Sequence, residues 1–474
     1  TNLNNTGTIK TTASSDVAIY NNATITTLTN NGSIISSGSG SYGINNQGTL
    51  TTLNNAQGSG NVNGALSYTE RLPVNYNIIL GNSSNTYGQL LATNPTYTDG
   101  ASGKMTFGIS SGSVLTKLYT AVISGVTSNY ISSSKSGAYG NFNWTLSLQA
   151  GSSSIWDLIF SGASTADTQQ SLFNTATALQ NIYTLQNSVL ANSFSYDCNV
   201  FGANNVCISA GGRNTAVSAA NGLNNTSALL IAAYRPHPNY RIGAYADQNL
   251  SVNNAGSTVN LGNNTPLIGL FSAWNERLDG TGTEVKVSAA YGQKNTTITR
   301  SVVGTSEAGS GSSQLNSQGA QATVKYGFGV VDNIIVSPYV GIRYTQNNMG
   351  GYTEATSSAV TAPLTYSALN TNATTALAGV GASYRFMPQA TAFAGAGVET
   401  DTNTANGTYS ATGVTGLTPI NFNANPVKTR PTATLGAYYD IEKNQRLGIT
   451  GIYRQEPYQS VQTTTVMATY TIGL

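Results

Sequence analysis

Residues 240–247 read Tyr-Arg-Ile-Gly-Ala-Tyr-Ala-Asp. Alternate side chains of an extended strand point to opposite faces, so one face would carry Tyr, Ile and Ala and the other Arg, Gly, Tyr and Asp. The same alternation recurs in segments 284–291, 336–345 and 378–385. A charged face cannot form a dry sandwich core, because an unpaired buried charge costs too much free energy. The pattern therefore predicts strands that turn an apolar face to lipid and a charged face to a wet lumen.

The connections between these strands are of two kinds. Five are tight turns, near residues 236–238, 279–282, 331–333, 387–389 and 442–444. Six are longer and polar, near residues 221–225, 254–266, 301–314, 347–366, 403–425 and 456–460. Their alternation predicts twelve antiparallel strands within residues 195–474, with both ends of the domain on the side of the tight turns. An even strand number, with short turns at one end and longer loops at the other, is typical of outer-membrane barrels.

A helix is predicted before the barrel, from about Asp167 to Asn192, within a linker that spans residues 164–194. Asp167 with Gln170 resembles a capping box. A helix of about 26 residues spans roughly 39 Å, enough to thread a membrane-depth pore. After Asp167 it carries no charge, whereas a solvated helix normally does. We therefore predict that it plugs the barrel through these residues: Leu172, Ala176, Leu179, Gln180, Tyr183 and Asn187.

Residues 1–62 contain a repeat with an offset of 25. Residues 19–28 align with residues 44–53, and Gly7-Thr8-Ile9 aligns with Gly32-Ser33-Ile34. This period predicts a parallel β-helix, in which stacked Asn or Thr side chains can hydrogen-bond between coils. Fewer than three repeats are recognisable, too few to bury a core alone, so we expect these coils to be the stump of a longer stack, or of one whose upper part has been removed.

Residues 63–163 lose the repeat and gain aromatic side chains. Segments 143–148 and 154–160 predict two strands around a turn at residues 149–152. The open end of a β-helix must be covered, because its strand edge would otherwise be unpaired. We expect this zone to be a β-rich cap, and the predicted fold class is all-β: β-helix, cap and plugged twelve-stranded barrel.

Composition limits the chemistry that the chain can perform. Charged residues make up 8% of the chain, the formal net charge is +2, and no basic run suits nucleic acid. Cys198 and Cys207 would form a local disulfide in an oxidising compartment, and the alternative is two buried thiols. Two cysteines and the one histidine, His237, are too few for a metal site, so we expect neither metal nor cofactor.

The order of these parts resembles the monomeric autotransporters of type V secretion. The resemblance covers the whole chain and lies in its architecture rather than in short motifs. In residues 466–474, apolar side chains alternate back from Leu474 through Ile472 and Tyr470. This segment resembles the C-terminal assembly signal of the family, although that signal usually ends in Phe or Trp.

The resemblance implies a location in the Gram-negative outer membrane, with residues 1 to about 163 on the cell surface and any export signal upstream. It also implies membrane lipid, the barrel-assembly machinery and periplasmic chaperones as partners. Host, surface or neighbouring-cell ligands would meet the passenger, and a monomer is expected. Some members cut off their passenger at an adjacent Asn pair in the helix. The helix asparagines here are not adjacent, so we expect the stalk to stay attached.

Charged side chains are predicted along the inner face of the barrel. They could line an ion pathway, or they could pair with one another and hydrogen-bond the helix. We favour the paired wall, because a helix fills a barrel of this size and Arg can reach helix amides and carbonyls. The residues are Arg213, Arg241, Asp247, Glu284, Arg343, Arg385, Glu399, Asp401, Arg430 and Arg454.

No catalytic residues are expected. Residues 108–112 spell the nucleophile-elbow motif GxSxG, but no helix follows them and His237 falls in a tight turn. Two other functions stay open: a porin-like channel, and an anchor for an exported enzyme that precedes residue 1. Single-channel conductance would separate the first from a plugged anchor, and the upstream sequence would identify the second.

Overall fold

The computed structural model describes residues 1–219, 222–253, 258–262, 265–357, 360–458 and 461–474. Four of the predicted longer links, near 221–225, 254–266, 347–366 and 456–460, lie partly outside the described residues. Within those ranges the chain is all-β apart from the α-helix Thr165–Ser193 and the 3-10 helix Ser128–Tyr130. The predicted fold class is confirmed, and residues 1–163 are called the stalk below.

In the described part of the chain, twelve antiparallel strands close into a barrel. The last strand pairs with the first in an unbroken register from Gly473 opposite Cys207 to Thr463 opposite Val217. Closure leaves no open sheet edge, so the ladder satisfies the backbone groups of every strand. The strands, numbered one to twelve, are Val206–Val217, Leu223–His237, Tyr240–Asn253, Leu267–Asn275, Gly282–Arg300, Gly309–Val331, Ile334–Met349, Leu369–Met387, Ala390–Ala405, Thr429–Glu442, Gln445–Gln455 and Gln462–Gly473.

The two ends of the barrel differ. The predicted tight turns all lie at one end, called the tight-turn end, where strand one also begins and strand twelve ends. The opposite end, called the loop end, carries the longer connections. Several of these contain short strands that the sequence did not predict: Val259–Leu261, Tyr352–Thr353, Thr365–Tyr366, Thr408–Tyr409, Ala411–Thr412 and Ile420–Asn421.

The barrel wall follows the predicted alternation. Inward-facing Arg241 and Asp247 are buried, while the neighbouring outward-facing Ile242 is 51% exposed. Other outward-facing apolar side chains are also at least half exposed: Leu230, Leu270, Val287, Val340, Ile342, Leu435 and Ile449. An apolar band of this extent around a closed sheet is a surface for lipid rather than for water.

Residues 1–124 of the stalk wind into five coils of a parallel β-helix, all within the described residues. One sheet stacks Asn2–Asn5, Thr24–Asn30, Thr49–Asn55, Asn75–Ile79 and Thr106–Ser111. A second stacks Val17–Asn21, Tyr42–Asn46, Leu66–Arg71, Leu90–Thr96 and Leu118–Ser124. Thr8–Thr11 pairs with Ser33–Ser36, and Gly58–Ser59 pairs with Tyr87–Gly88.

Parallel stacking therefore continues beyond residue 62, the predicted boundary between the coils and the cap. Leu28 and Leu53 stack in register, and Tyr76 and Phe107 continue the same buried column. Stacking needs strands in register but not identical side chains, so aromatic replacements erase the repeat and keep the coil. The antiparallel cap is smaller than predicted and comprises Ser136–Tyr139, Phe142–Leu148 and Trp156–Gly162.

Buried asparagines link the first three coils of the stalk. Asn5 Nδ2 donates to Asn30 Oδ1 at 2.8 Å, and Asn30 Nδ2 donates to Asn55 Oδ1 at 3.1 Å. Gln57 ends this ladder, since its Oε1 accepts from Asn30 Nδ2 at 3.2 Å and from Ile34 N at 2.7 Å. The amides thus satisfy one another inside the stalk, where water cannot.

We predict that Asn30→Ala destabilises the stalk by about 1–3 kcal/mol, because it leaves buried amide groups of the adjoining coils unsatisfied. Denaturant unfolding followed by the fluorescence of Trp144 and Trp156 measures this loss. The outward-facing Thr27→Ala on the same strand is the control and should change stability by less than about 0.5 kcal/mol. Equal losses in the two variants would contradict the role of the ladder.

Candidate functional site: the plugged lumen

The helix enters the barrel at the loop end. Its N-cap is Ser164, whose side chain accepts from Asp167 N at 3.5 Å, so the predicted cap at Asp167 is wrong by one turn. Asp167 instead accepts from Thr305 N and Thr305 Oγ1, both at 2.8 Å. The Ser-x-x-Asp pattern of residues 164–167 is the signal that we missed. A carboxylate in the first turn also suits the positive end of the helix dipole.

One side of the helix packs on the apolar part of the wall. The helix has 29 residues, which corresponds to about 43 Å. No helix in the described ranges combines the length and apolarity that crossing a membrane requires. Of the predicted plug residues, Leu172, Ala176, Leu179 and Tyr183 are buried in one cluster with wall side chains such as Leu315.

Polar side chains of the helix bond to hydroxyls, carbonyls and one carboxylate of the barrel. Asn187 Nδ2 donates to Glu456 Oε2 at 3.0 Å, and Tyr183 Oη donates to Leu369 O at 2.9 Å. Other contacts of this kind join Gln180 to Phe422 O, Ser188 to Thr463, Asn192 to Thr465 and Ser193 to Tyr245. Apart from the Glu456 carboxylate, which Arg454 also approaches, these partners are neutral, so the helix needs no charge of its own in the lumen.

Among the described residues, the wall arginines do not form the expected hydrogen bonds to the helix, because carboxylates of the wall bind them. Arg213 binds both oxygens of Asp247 at 2.8 and 2.9 Å. Glu399 accepts from Arg454 Nη2 at 2.7 Å and from Arg343 Nη1 at 3.0 Å. Fork-shaped guanidinium groups match carboxylates better than they match single amides.

The other predicted wall residues fall into smaller groups. Arg430 binds both oxygens of Asp401 at 2.7 and 2.8 Å. At the tight-turn end, Glu284 pairs with Lys325 at 2.9 Å and with Arg241 at 3.4 Å. Arg385 was misplaced: it is exposed near the end of strand eight, beyond the paired part of the wall. The alternation along a strand predicts which face of the sheet a residue lies on, but not how far along the barrel axis it lies.

Several charged residues of this site were not among the predicted wall residues, and three of them lie near the helix or its end. Glu456 contacts the helix and lies 3.4 Å from Arg454 Nε. Asp197 follows the helix and pairs with Arg241 at 2.6 Å. Lys286 Nζ donates to Tyr196 O at 2.7 Å and to Ser195 O at 3.1 Å, close to the negative end of the helix dipole. Glu456 and Asp197 lie in connections, where alternation gives no signal.

The helix leaves part of the lumen open. A cavity of about 610 Å³ lies between the end of the helix and the wall of strands six to eleven. Tyr339, Phe393 and small residues such as Gly381 and Gly397 line it. Arg343 also lines a second void of about 20 Å³, enough for one water, beside Asn187 and Arg430. The layer of ion pairs therefore separates the open part of the lumen from the filled part.

The loop end is closed by aromatic side chains from its connections. Tyr352 and Tyr366 stack with centroids 4.3 Å apart, and Tyr366 lies 5.3 Å from Tyr409. Phe422 contacts Tyr183 of the helix edge-on at 4.9 Å. These contacts pack the connections around the outer half of the helix.

A carboxylate joins the stalk to this end of the barrel. Glu307 Oε1 accepts from Lys117 Nζ of the stalk at 2.7 Å. Its oxygens also accept from Thr361 N at 2.8 Å and Ala362 N at 2.7 Å. Burial alone would raise the pKa of Glu307, but the bonds from Lys117, Thr361 and Ala362 outweigh it and hold the pKa below its usual value.

The structure keeps the GxSxG segment and the histidine apart. Ser110 lies in a β-helix strand of the stalk, whereas His237 ends strand two at the tight-turn end. Among the described residues, no three His, Cys, Asp or Glu side chains converge to bind a metal ion. The predicted cysteines are joined in a disulfide, Cys198–Cys207, with Cα atoms 5.8 Å apart.

The residues predicted to form an assembly signal end the last strand. Tyr470 and Ile472 lie in strand twelve, and Tyr470 Oη donates to Gln445 Oε1 at 2.8 Å. Leu474 follows the strand and forms backbone bonds with Val206 at the start of strand one. The structure thus places these residues at the seam where the barrel closes, and their role as an assembly signal stays a prediction.

A closed, lipid-facing barrel with a polar lumen and a helix through it defines a plugged outer-membrane β-barrel. The family model for the autotransporter beta-domain matches residues 209–454, more than half of the chain. The chain belongs to this family of Gram-negative outer-membrane proteins, whose barrel is a secretion and anchoring domain and not itself an enzyme. By the family's orientation, the tight-turn end faces the periplasm and the loop end faces outward.

Solved structures of the same kind cover the barrel region. The translocator domain of autotransporter NalP from Neisseria meningitidis is 18% identical, covers 63% of this chain and 97% of its own, and has a TM-score of 0.45. The transport unit of AIDA-I from Escherichia coli is 12% identical, covering 62% and 99%, with a TM-score of 0.36. The beta domain of the Bordetella autotransporter BrkA is 11% identical, covering 57% and 100%, with a TM-score of 0.39. Comparison with curated proteins finds no match.

We predict that Glu399→Ala destabilises the barrel by about 3–5 kcal/mol, because it leaves Arg343 and Arg454 buried without their shared carboxylate. Urea unfolding of the barrel in lipid gives the free energy. Glu442→Ala, at an exposed turn, is the control and should change it by less than about 0.5 kcal/mol. A near-neutral Glu399→Ala would show that the ion-pair layer is solvated.

We predict that acid releases the stalk from the loop end. The folded pKa of Glu307 lies below its unfolded value of 4.5, so this contact contributes fully above pH 4.5 and weakens as pH falls further. Energy transfer between dyes on exposed Ser113 and Thr356 reports the contact. Glu307→Gln should lower the transfer at every pH, whereas Glu442→Gln should behave as the wild type. A wild-type transition near neutral pH would contradict the assignment to Glu307.

Proposed function

We propose that this autotransporter retains its stalk and displays it on the cell surface for adhesion, aggregation or coating. The observation that carries the proposal is the helix bound along its whole length inside the barrel. It is held by Asp167 at its start, by Asn187 in its second half and by Ser193 at its end. The stalk therefore continues into an anchor that the barrel wall binds.

The helix lacks the adjacent asparagines at which some family members cleave themselves. Its residues Asn174, Asn181, Asn187 and Asn192 are separated in sequence, and Asn187 and Asn192 are engaged by Glu456 and Thr465. The contact of Lys117 with Glu307 adds a second attachment outside the lumen. Both features support retention of the stalk.

One face of the stalk supports a binding role without catalysis. Outward-facing neutral side chains stack in two files along the first β-helix sheet, with coils spaced about 4.8 Å apart. Asn75 Nδ2 donates to Thr52 Oγ1 at 3.4 Å, and Asn77 Nδ2 donates to Asn54 Oδ1 at 3.0 Å. The files are Asn2, Thr27, Thr52, Asn75 and Thr106, and Asn4, Thr29, Asn54 and Asn77.

Such a face would bind through hydrogen bonds and shape rather than charge, so its contacts should depend little on salt. It suits a host or abiotic surface or a neighbouring cell, and not nucleic acid. Membrane lipid around the apolar band, the assembly machinery and periplasmic chaperones are the further partners that we propose. We propose that the protein is a monomer in the membrane.

A channel is the second candidate function, and the cavity of about 610 Å³ is the observation that favours it. The filled half of the lumen and the ion-pair layer oppose it. Conductance of the intact protein in a planar bilayer distinguishes the two: a large, steady current supports a channel. Current that arises only after deletion of residues 165–193 supports the plugged anchor.

The test of display uses Gram-negative cells that express the whole chain. We expect stalk and barrel to fractionate together in the outer membrane as one polypeptide. We also expect Thr27→Asp with Thr52→Asp to reduce surface binding or cell sedimentation, because charge disrupts a neutral hydrogen-bonding face. Asp substitution of the exposed Ser14 and Ser39, outside the two files, is the control at matched charge.

Surface labelling of the stalk verifies equal display of both variants. Release of the stalk into the medium would contradict retention. Equal binding by both variants would contradict the role of the neutral face while leaving retention intact.

A further inference from the structure

We propose that the Cys198–Cys207 disulfide transmits tension on the stalk directly into the barrel wall and shields the segment that locks the barrel seam. The seam is the pairing of strand one with strand twelve, and the seam lock is defined as residues 199–206. Tension reaches this region only in a protein that keeps its stalk, so the inference rests on the proposed function.

The chain connectivity defines the path of the tension. The stalk joins the helix at the loop end, and the helix ends at Ser193 at the tight-turn end. The chain then runs through residues 194–205 before strand one begins at Val206. A pull on the stalk therefore acts on the barrel wall through this connection once the contacts of the helix yield.

The seam lock binds the last residue of the chain. Asn204 N and Val206 N donate to Leu474 O at 2.9 and 3.4 Å, and Leu474 N donates to Val206 O at 2.8 Å. Gly202 packs so closely on Gly473 that a Cβ at position 202 would lie 2.7 Å from the carbonyl oxygen of Gly473. These contacts extend the ladder of strands one and twelve to its final residue.

Strand two holds the seam lock from its other side. Arg235 Nη2 donates to Asn205 Oδ1 at 2.9 Å, and its guanidinium lies 4.7 Å from the ring centre of Phe201. Peeling the seam lock would therefore uncover the end of the seam and break contacts with strand two. A barrel edge opened in this way would expose unpaired backbone groups.

The disulfide removes the seam lock from the path of tension. Nine residue steps separate its cysteines, a contour of about 31 Å when extended, whereas their Cα atoms lie 5.8 Å apart. Cys207 belongs to the strand-one ladder, opposite Ala233 on one side and Gly473 on the other. Tension arriving at Cys198 therefore passes through sulfur into a strand paired on both sides.

The segment before Cys198 is held as well. Asp197 pairs with Arg241 at 2.6 Å and Lys286 Nζ lies 3.6 Å from it. Both cysteine side chains are buried, so the bond lies within the packed tight-turn end. Without the bond, these noncovalent contacts and then the seam lock would meet the tension in sequence.

The experiment pulls on the stalk of the full chain in a lipid nanodisc, with the barrel held by a handle inserted in the exposed turn at residues 277–279. This attachment leaves Leu474 untouched. Cys198→Ser/Cys207→Ser should show an added extension of roughly 25 Å before the barrel unfolds, as the seam lock peels. The wild type and Asn199→Ala, which keeps the disulfide, should not show it.

A reductant added to the assembled wild-type protein under tension breaks the disulfide after folding. This compares the protein with and without the bond even if the double variant fails to assemble. The added step should then appear in the wild type. Traces that match with and without the bond would overturn the proposal. A lower unfolding force of the protein without the bond, with no added extension, would also overturn the proposal, because the bond would then only stabilise the barrel. Loss of the stalk in cells would contradict the proposed function but not the role of the disulfide, because the pulling experiment uses a chain that still carries its stalk.

Discussion

The structure depends on the backbone pairing between strand one and strand twelve. This pairing turns an open sheet into a ring, so each strand has two partners and the outer surface can be apolar without an exposed edge. Closure also creates the inner face, on which carboxylates and guanidinium groups from distant parts of the chain meet. The disulfide, the seam lock and Leu474 all gather at the end of this one pairing.

The lumen shows how a charged wall and a neutral helix coexist. Arg213, Arg343 and Arg430 are held by wall carboxylates, so their charge is balanced before the helix is considered. A charged residue on the helix would need its own partner or would remain unpaired in a confined space. Hydroxyls and amides can instead be paired with neutral hydrogen-bonding groups, which Thr463 and Thr465 provide.

Backbone pairing between strands also holds the stalk together, but its β-helix strands are parallel. Five coils stack in register while the core side chains change from Leu53 to Tyr76 to Phe107. The asparagine ladder is confined to the first three coils and ends at Gln57. Below it, ring contacts such as Phe107 with Trp144, whose centroids are 5.4 Å apart, replace amide contacts down to the cap. A coil of the β-helix can therefore form without the sequence repeat. The sequence period reveals only those coils whose side chains are also repeated.

The sequence by itself determined the alternation of the strands, their number, the neutral helix and the presence of a stacked stalk, because these follow from local periodicity and turn chemistry. It placed Arg213, Arg241 and Glu399 on the correct face, since parity along a strand is a local property. Only the tertiary structure decided which charges pair, that Arg385 lies outside the paired wall and that Glu456 contacts the helix. Those facts depend on strand register and closure across more than 200 residues, and no local pattern encodes a distance between strands that meet only when the ring closes.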